Sequence, residues 1–205
     1  MKIGHAGTLD PMATGLLIVA TEEDTKKLHE FLKLPKVYEA EILLGLHTDT
    51  GDIEGRELPI SNVQFPNNTQ INNISKEEVE RTLKEMVGKL ELKVPAYSAI
   101  KQGGEALYKK ARRGERVVPP VKTMEIKSAA FISVCHSREN GNPELDPRIR
   151  GDDKLILRIR FSVASGTYIR SLAEELGRRL GVPATLSGLR RTQIGDFRVE
   201  DAVVL

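Results

Sequence analysis

The sequence predicts an α+β fold: a mixed, largely antiparallel sheet flanked by helices, in one domain spanning residues 1–205. Three observations predict it. The chain has 205 residues, 40% of them hydrophobic, enough for one large core. Two long stretches, 121–134 and 154–164, are dense in Ile, Leu and Val. Helical patterns stand between some strands but not in the regular alternation of a parallel sheet.

The elements read as follows. Residues 14–20 form a short apolar run after a turn, expected to be a buried strand. Residues 22–32 place Leu28, Phe31 and Leu32 on one helical face, and Pro35 ends that helix. Residues 36–45 alternate as a strand through Val37, Tyr38, Ala40, Ile42 and Leu44. Thr48 to Asp52 is turn chemistry, and 59–74 is a polar, Asn-rich loop. Ser75 caps a helix from Lys76 to about Val87, with Glu78 completing a capping box. Gly88 closes it. An extended segment at 89–100 and a helix at 104–113 follow. The two long strands come next, separated by a Gly-, Pro- and charge-rich stretch at 136–153, expected to be a flexible surface insertion in a hairpin. Residues 167–180 are helical, ended by Gly181, with Thr167 able to cap. A short strand or turn closes the chain at 193–199. No internal repeat is present.

Charge and cysteine content narrow the classes of function. Thirty-one Lys and Arg oppose 29 Asp and Glu, so net charge does not mark a nucleic-acid binder. Distribution says more: Lys109, Lys110, Arg112, Arg113 and Arg116 cluster, as do Arg178 with Arg179 and Arg190 with Arg191. Such clusters suit phosphate contacts or a merely solvated helix face. One cysteine, Cys135, builds neither a disulfide framework nor a multi-thiolate metal site. His5, His29, His47 and His136 show no ligand spacing. There is no apolar run of membrane-spanning length and no secretory leader, so a cytoplasmic location is expected.

Three glycines and a proline within Gly4-His5-Ala6-Gly7-Thr8-Leu9-Asp10-Pro11-Met12-Ala13-Thr14-Gly15 specify a loop of fixed shape. Asp10 precedes Pro11 and is biased to an extended conformation. An aspartate ionises at a pKa of about 3.9, so at neutral pH it can serve as nucleophile or base. Two readings stand: a catalytic carboxylate on a rigid platform, or an Asx-turn that caps itself. No second carboxylate lies nearby in sequence, so paired-acid chemistry is not signalled. In Ser165-Gly166-Thr167-Tyr168-Ile169-Arg170 the tyrosine and arginine fall in the first turn of a helix. There they could stack on a base and pair with a carboxylate or phosphate, or be a core tyrosine and a surface arginine.

Four segments together resemble the TruB family of tRNA pseudouridine synthases. They are Gly4 to Pro11 with Ala13, Thr14 and Gly15; Tyr38, Ala40 and Gly45 with Thr48, Asp49, Thr50, Asp52 and Gly55; Pro95 to Gly104 with Leu107, Tyr108, Ala111 and Arg112; and Gly166 to Arg170 with Leu172, Ala173, Leu176, Gly177 and Leu189 to Thr192. The resemblance implies a pseudouridine synthase fold and isomerisation of uridine to pseudouridine in the TΨC loop of tRNA, without metal or organic cofactor. It implies Asp10 as the catalytic carboxylate, Tyr38 stacked on the target base, Arg170 orienting Asp10, and Tyr168 against the reacting nucleotide. Lys26 falls near the site, Leu189 on the pocket wall, and His5 where it helps displace the loop base. The expected partner is the T arm of tRNA, with no membrane and no metal, and the chain is expected to act as a monomer. Relative to the family pattern it looks short at the N-terminus, lacks the C-terminal RNA-binding domain and carries the extra 136–153 stretch. An inactive tRNA-binding or chaperone module, and a synthase acting on another RNA, are the alternatives.

Overall fold

A computed structural model describes residues 1–59, 71–136 and 155–203. In chain order the elements are β1 (Ile3–Ala6), β2 (Ala13–Gly15), β3 (Ile18–Thr21), a 3-10 turn (Glu22–Lys27), α1 (Leu28–Leu32), β4 (Lys36–Leu44), α2 (Lys76–Met86), β5 (Gly88–Lys93), β6 (Lys101–Gln102), β7 (Glu105–Ala106), α3 (Leu107–Arg112), β8 (Val121–His136), β9 (Leu155–Val163), α4 (Ile169–Leu180), β10 (Ala184–Ile194) and β11 (Phe197–Arg198). A seven-stranded sheet runs β11-β10-β4-β9-β8-β5, with β2 added beside β10. The β2–β10 pair is parallel and the other pairs are antiparallel. The expected mixed, largely antiparallel sheet is therefore what forms.

Alternation on β4 and β9 explains the core. Ala40, Ile42 and Leu44 face one side with Leu157, Ile159, Phe161 and Val163, all buried. The opposite side carries Glu39 and Glu41, ion-paired with their register partners Arg160 and Arg158. Helix α4 lays Leu172, Ala173, Leu176 and Leu180 on the apolar side, and α2 adds Val79, Leu83 and Met86. Each fully buried Leu, Ile or Phe contributes roughly 1.5–3 kcal/mol, so this shared face dominates stability. The cap of α2 forms as expected, Glu78 N–H donating to Ser75 Oγ at 3.1 Å. Gly181 closes α4 in the left-handed conformation, φ 77°.

Several elements depart from expectation. The run 14–20 is two short strands, because Gly15 turns the chain at φ 99° and only Leu16 is buried. The stretch 22–32 is a 3-10 turn followed by a five-residue α1; Leu28 is buried and Leu32 exposed. Helix α3 begins at Leu107 because the preceding residues form the β6–β7 hairpin, turned by Gly103 and Gly104, both at positive φ. Thr167 does not cap α4; Tyr168 holds the N-cap position without a side-chain bond, and Thr167 Oγ1 is buried unpartnered. The largest miss is β10. Its polar Ser187, Arg190, Arg191 and Thr192 mask the pattern of an interior strand, yet it lies between β4 and β2. Apart from His136, the last residue of β8, the expected 136–153 insertion lies outside the described residues, as do residues 60–70 of the expected 59–74 loop.

Candidate active site

The loop from Gly7 to Met12 joins β1 to β2, and β2 lies parallel to β10 with Ala13 opposite Leu189 and Gly15 opposite Arg191. Gly15 fits because a Cβ there would lie 2.2 Å from the Arg191 carbonyl oxygen. Within the loop, Ala13 N–H donates to Asp10 O at 2.8 Å, so the main chain closes the turn. The Asp10 carboxylate is thereby free of the turn. Both its oxygens accept from Arg170, Oδ2 from Nε at 3.1 Å and Oδ1 from Nη2 at 2.9 Å. The self-capping Asx-turn is not what forms.

Arg170 sits in the first turn of α4, where the helix dipole disfavours a cation. Its neighbours supply the compensation. Nη1 donates to Thr50 O at 3.0 Å and pairs with Asp52 Oδ2 at 3.4 Å, and Nη2 also donates to Tyr97 O at 3.2 Å. One guanidinium thus gathers the loop of Asp10, the turn of Thr48 to Asp52, the segment of Tyr97 and helix α4. All four segments singled out in the sequence meet at this side chain. Asp52 is fixed in turn by Thr50 Oγ1 at 2.6 Å and Glu54 N–H at 3.2 Å, both donating to Oδ1. Gly51, at φ 74°, lets this turn press against α4, since a Cβ there would lie 3.6 Å from Arg170 Cβ and 2.9 Å from Glu174 Oε1. The turn is pinned to β10 by Leu186 N–H to Gly51 O, 3.1 Å, and Ile53 N–H to Leu186 O, 2.9 Å.

Two carboxylates share one cation, and they differ in access. The side chains of Arg170 and Asp52 are each 6% exposed, and that of Asp10 is 30% exposed. The open member of the cluster is an oriented carboxylate facing outward.

Tyr168 packs half-buried against Val94, Leu107 and Met124. Burial raises its phenol above the ordinary tyrosine range; the Ser98 hydroxyl and the Arg170 charge pull it back, and the Asp10 charge pushes it up. Ser98 Oγ is near enough to act on the phenol but out of hydrogen-bond geometry, and it is buried without a partner. Tyr38 and Leu189 join the main apolar cluster together with Met12 and Ala13, at the end of the Asp10 loop. His5 is exposed on β1 opposite Val19, and Lys26 is exposed on the 3-10 turn, paired with Glu23. Among the described residues no hydrogen bond or ion pair connects His5 or Lys26 to the Asp10–Arg170 pair. No group of three or more His, Cys, Asp or Glu among the described residues could hold a metal ion.

Sequence reasoning missed Asp52 and Arg191. Asp52 could have been found: the turn holds two aspartates, and Asp49 suffices to close it by accepting from Arg56 N–H at 2.8 Å. For Arg191 the signal was two adjacent arginines on a strand, where alternation buries one. Arg190 is exposed and Arg191 buried. The cationic clusters are thinner than they read. Arg113 is held by Glu105 and Glu115, and Arg178 and Arg179 by Glu175. Lys109, Arg116 and Arg190 have no carboxylate partner among the described residues.

The family model described as TruB family pseudouridylate synthase (N terminal domain) matches residues 1–169. The chain belongs to the TruB family. Similar TruB proteins include the tRNA pseudouridine synthase B of Xanthomonas axonopodis pv. citri (strain 306), 38% identical over 204 residues, and that of Aromatoleum aromaticum, 40% identical over 204 residues. In both, the match covers 100% of this chain and 58% of the relative, so the chain spans well under two thirds of their length. A solved Cbf5-Nop10-Gar1 complex contains a chain with the same fold, at TM-score 0.59 and 26% identity, covering 97% of this TruB chain and 42% of that one. An H/ACA RNP bound to a substrate RNA containing 2'-deoxyuridine shares the fold, at TM-score 0.58 and 24% identity, covering 100% and 42%.

Proposed function

We propose that this chain isomerises uridine to pseudouridine in the TΨC loop of tRNA, with Asp10 as the catalytic carboxylate. One observation carries the reading: of two carboxylates on a single buried guanidinium, Asp10 alone is open to an incoming group. The bidentate grip of Arg170 holds its oxygens in one orientation, which is what an attack on a ribose carbon requires. In the reaction the bond from C1′ to N1 of uracil breaks, the base turns, C1′ bonds to C5, C5 gives up its proton and N1 gains one. Mass is unchanged and no outside oxidant or reductant is consumed. The target nucleotide must leave its stack to reach Asp10, at a cost of a few kcal/mol. Tyr38, partly buried on the same apolar cluster as Met12, Ala13 and Leu189, offers a ring face for the flipped base, and Tyr168 lies within reach of the Arg170 charge. Lys109, Arg116 and Arg190 offer contacts to phosphates, which position the RNA without reading its sequence. His5 and Lys26, exposed and unbonded to the Asp10–Arg170 pair among the described residues, fit roles toward the RNA outside the reacting nucleotide. The reading takes residues 1–205 as one catalytic domain acting as a monomer in the cytoplasm. It needs no metal or organic cofactor.

The experiment is conversion of a T-arm stem-loop RNA by this chain, with Asp10→Asn beside it. Wild-type product that disappears in D10N supports the reading. Product at an unchanged rate in D10N removes Asp10 from the chemistry. Binding without product in the wild type turns the reading into a tRNA-binding module.

A further inference from the structure

We propose that Arg191 is a positioning residue for Asp10, fixing the main chain of the loop that carries it; the inference rests on the Asp10 reading above. Arg191 is 1% exposed and is among the largest fully buried side chains of the molecule. Its Nε donates to Leu16 O at 2.7 Å and its Nη2 to Gly7 O at 3.0 Å. Those two carbonyls, one at the start of the loop that holds Asp10 and one just after β2, bracket the loop and the strand it leads into. The main chain of Arg191 joins the same end of β2, its carbonyl accepting from Leu16 N–H at 2.8 Å.

Arg191 lies against both glycines that flank the loop and β2, tightly at Gly15 and in ordinary contact at Gly7. At Gly15 a Cβ would strike the Arg191 main chain, and at Gly7 (φ 90°) a Cβ would stand 3.4 Å from Arg191 Nη1. A space-filling role alone does not account for the choice of side chain. Burying a cation is unfavourable unless its donors are filled, and among the described residues Arg191 has no carboxylate partner. Lys36, also buried, donates to Leu32 O at 2.6 Å and Leu34 O at 2.7 Å and feels the positive charge of Arg191. Lys36 reaches its carbonyls, all from one short stretch of chain, with a single nitrogen, whereas the planar fork of Arg191 donates from two nitrogens held apart and so reaches two separate stretches, at Gly7 and Leu16. Arg170 therefore orients the carboxylate from its oxygens, and Arg191 holds the backbone beneath it. The two controls are independent: their contacts share no atom.

The test uses the full chain and Arg191→Lys, which keeps the charge and most of the volume, with Arg191→Met as a second variant. Amide exchange is followed at Ala13 and Leu16, and single-turnover pseudouridine formation and RNA affinity are measured on the T-arm stem-loop. In R191K we expect exchange at these amides to quicken by about tenfold or more with the sheet amides of β4 and β9 unchanged. The turnover rate should fall by about 100-fold while RNA affinity stays within about twofold. Unchanged exchange and rate in R191K overturn the proposal. So does a loss spread evenly over exchange, affinity and thermal stability, which marks a general structural residue. If the wild type makes no product, the Asp10 reading fails by itself, and local exchange in R191K still decides whether Arg191 clamps the loop. If R191M does not fold, R191K alone decides.

Discussion

Arg170 meets Asp10 side-on, with Nε on Oδ2 and Nη2 on Oδ1, while its remaining donors reach Thr50 O, Tyr97 O and Asp52. This pairing spans 160 residues of sequence. It makes the orientation of the open carboxylate depend on three other segments, and each dependence can be measured.

Replacing Arg170 by Lys keeps one positive charge but removes the fork. An ammonium cannot hold both Asp10 oxygens and the Thr50 and Tyr97 carbonyls together. In R170K the rate of product formation should fall about 100-fold or more, with RNA affinity within about twofold. Single-turnover kinetics with a binding titration separate the two. A loss confined to affinity would contradict the orienting role.

Asp52→Asn removes the buried partner behind Arg170 and keeps its shape. The guanidinium then keeps Asp10 as its one ion-paired carboxylate among the described residues and is drawn toward it, shifting the open oxygens. Stability should drop by about 1–3 kcal/mol, and turnover should drop more than binding. Urea unfolding and kinetics on the same preparation check this. Wild-type turnover in D52N would show that Asp52 only supports the turn.

His47 provides a pH dependence. Burial lowers its pKa below the ordinary 6.5, and Nδ1 is buried without a partner. The unfolded chain therefore binds a proton that the folded chain resists between the folded pKa and 6.5. Stability is full above 6.5 and declines as pH falls through that window. Thermal unfolding from pH 7.5 to 5 should show this decline, and His47→Gln should flatten that part of it. An equal slope in H47Q assigns the decline to other groups.

Gly15→Ala tests the seat of the loop. At φ 99° with a Cβ 2.2 Å from Arg191 O, alanine forces β2 away from β10. The expected loss is at least about 2 kcal/mol by chemical denaturation, far above an ordinary surface change. A loss under half that amount would mean the parallel pair yields easily.

The legible parts of the molecule were those governed by local rules. Alternation on β4, the apolar density of β9, the Ser75 cap and the glycine end of α4 follow from spacing, composition and backbone chemistry alone. Strand β10 was hidden because Arg191 is an interior cation satisfied by carbonyls from a loop at the other end of the chain. No nearby residue advertises such a partner. Asp10 was legible as a carboxylate on a stiff loop, but nothing in its own segment reveals that Asp52 stands behind the same arginine. Lys26 shows the converse: matched by position, it lies exposed beside Glu23. A pattern of residues can locate a site's components, whereas the sharing of one cation is a property of the assembled fold.

The parallel pairing of β2 with β10 sets an order of assembly. The arginine that binds Asp10 is made 160 residues after it, and the strand that seats its loop is later still. Contacts of such long sequence separation close late and slowly. A nascent chain halted before residue 184 would carry the carboxylate without its seat. The seat of the loop is thus withheld until translation has passed β10.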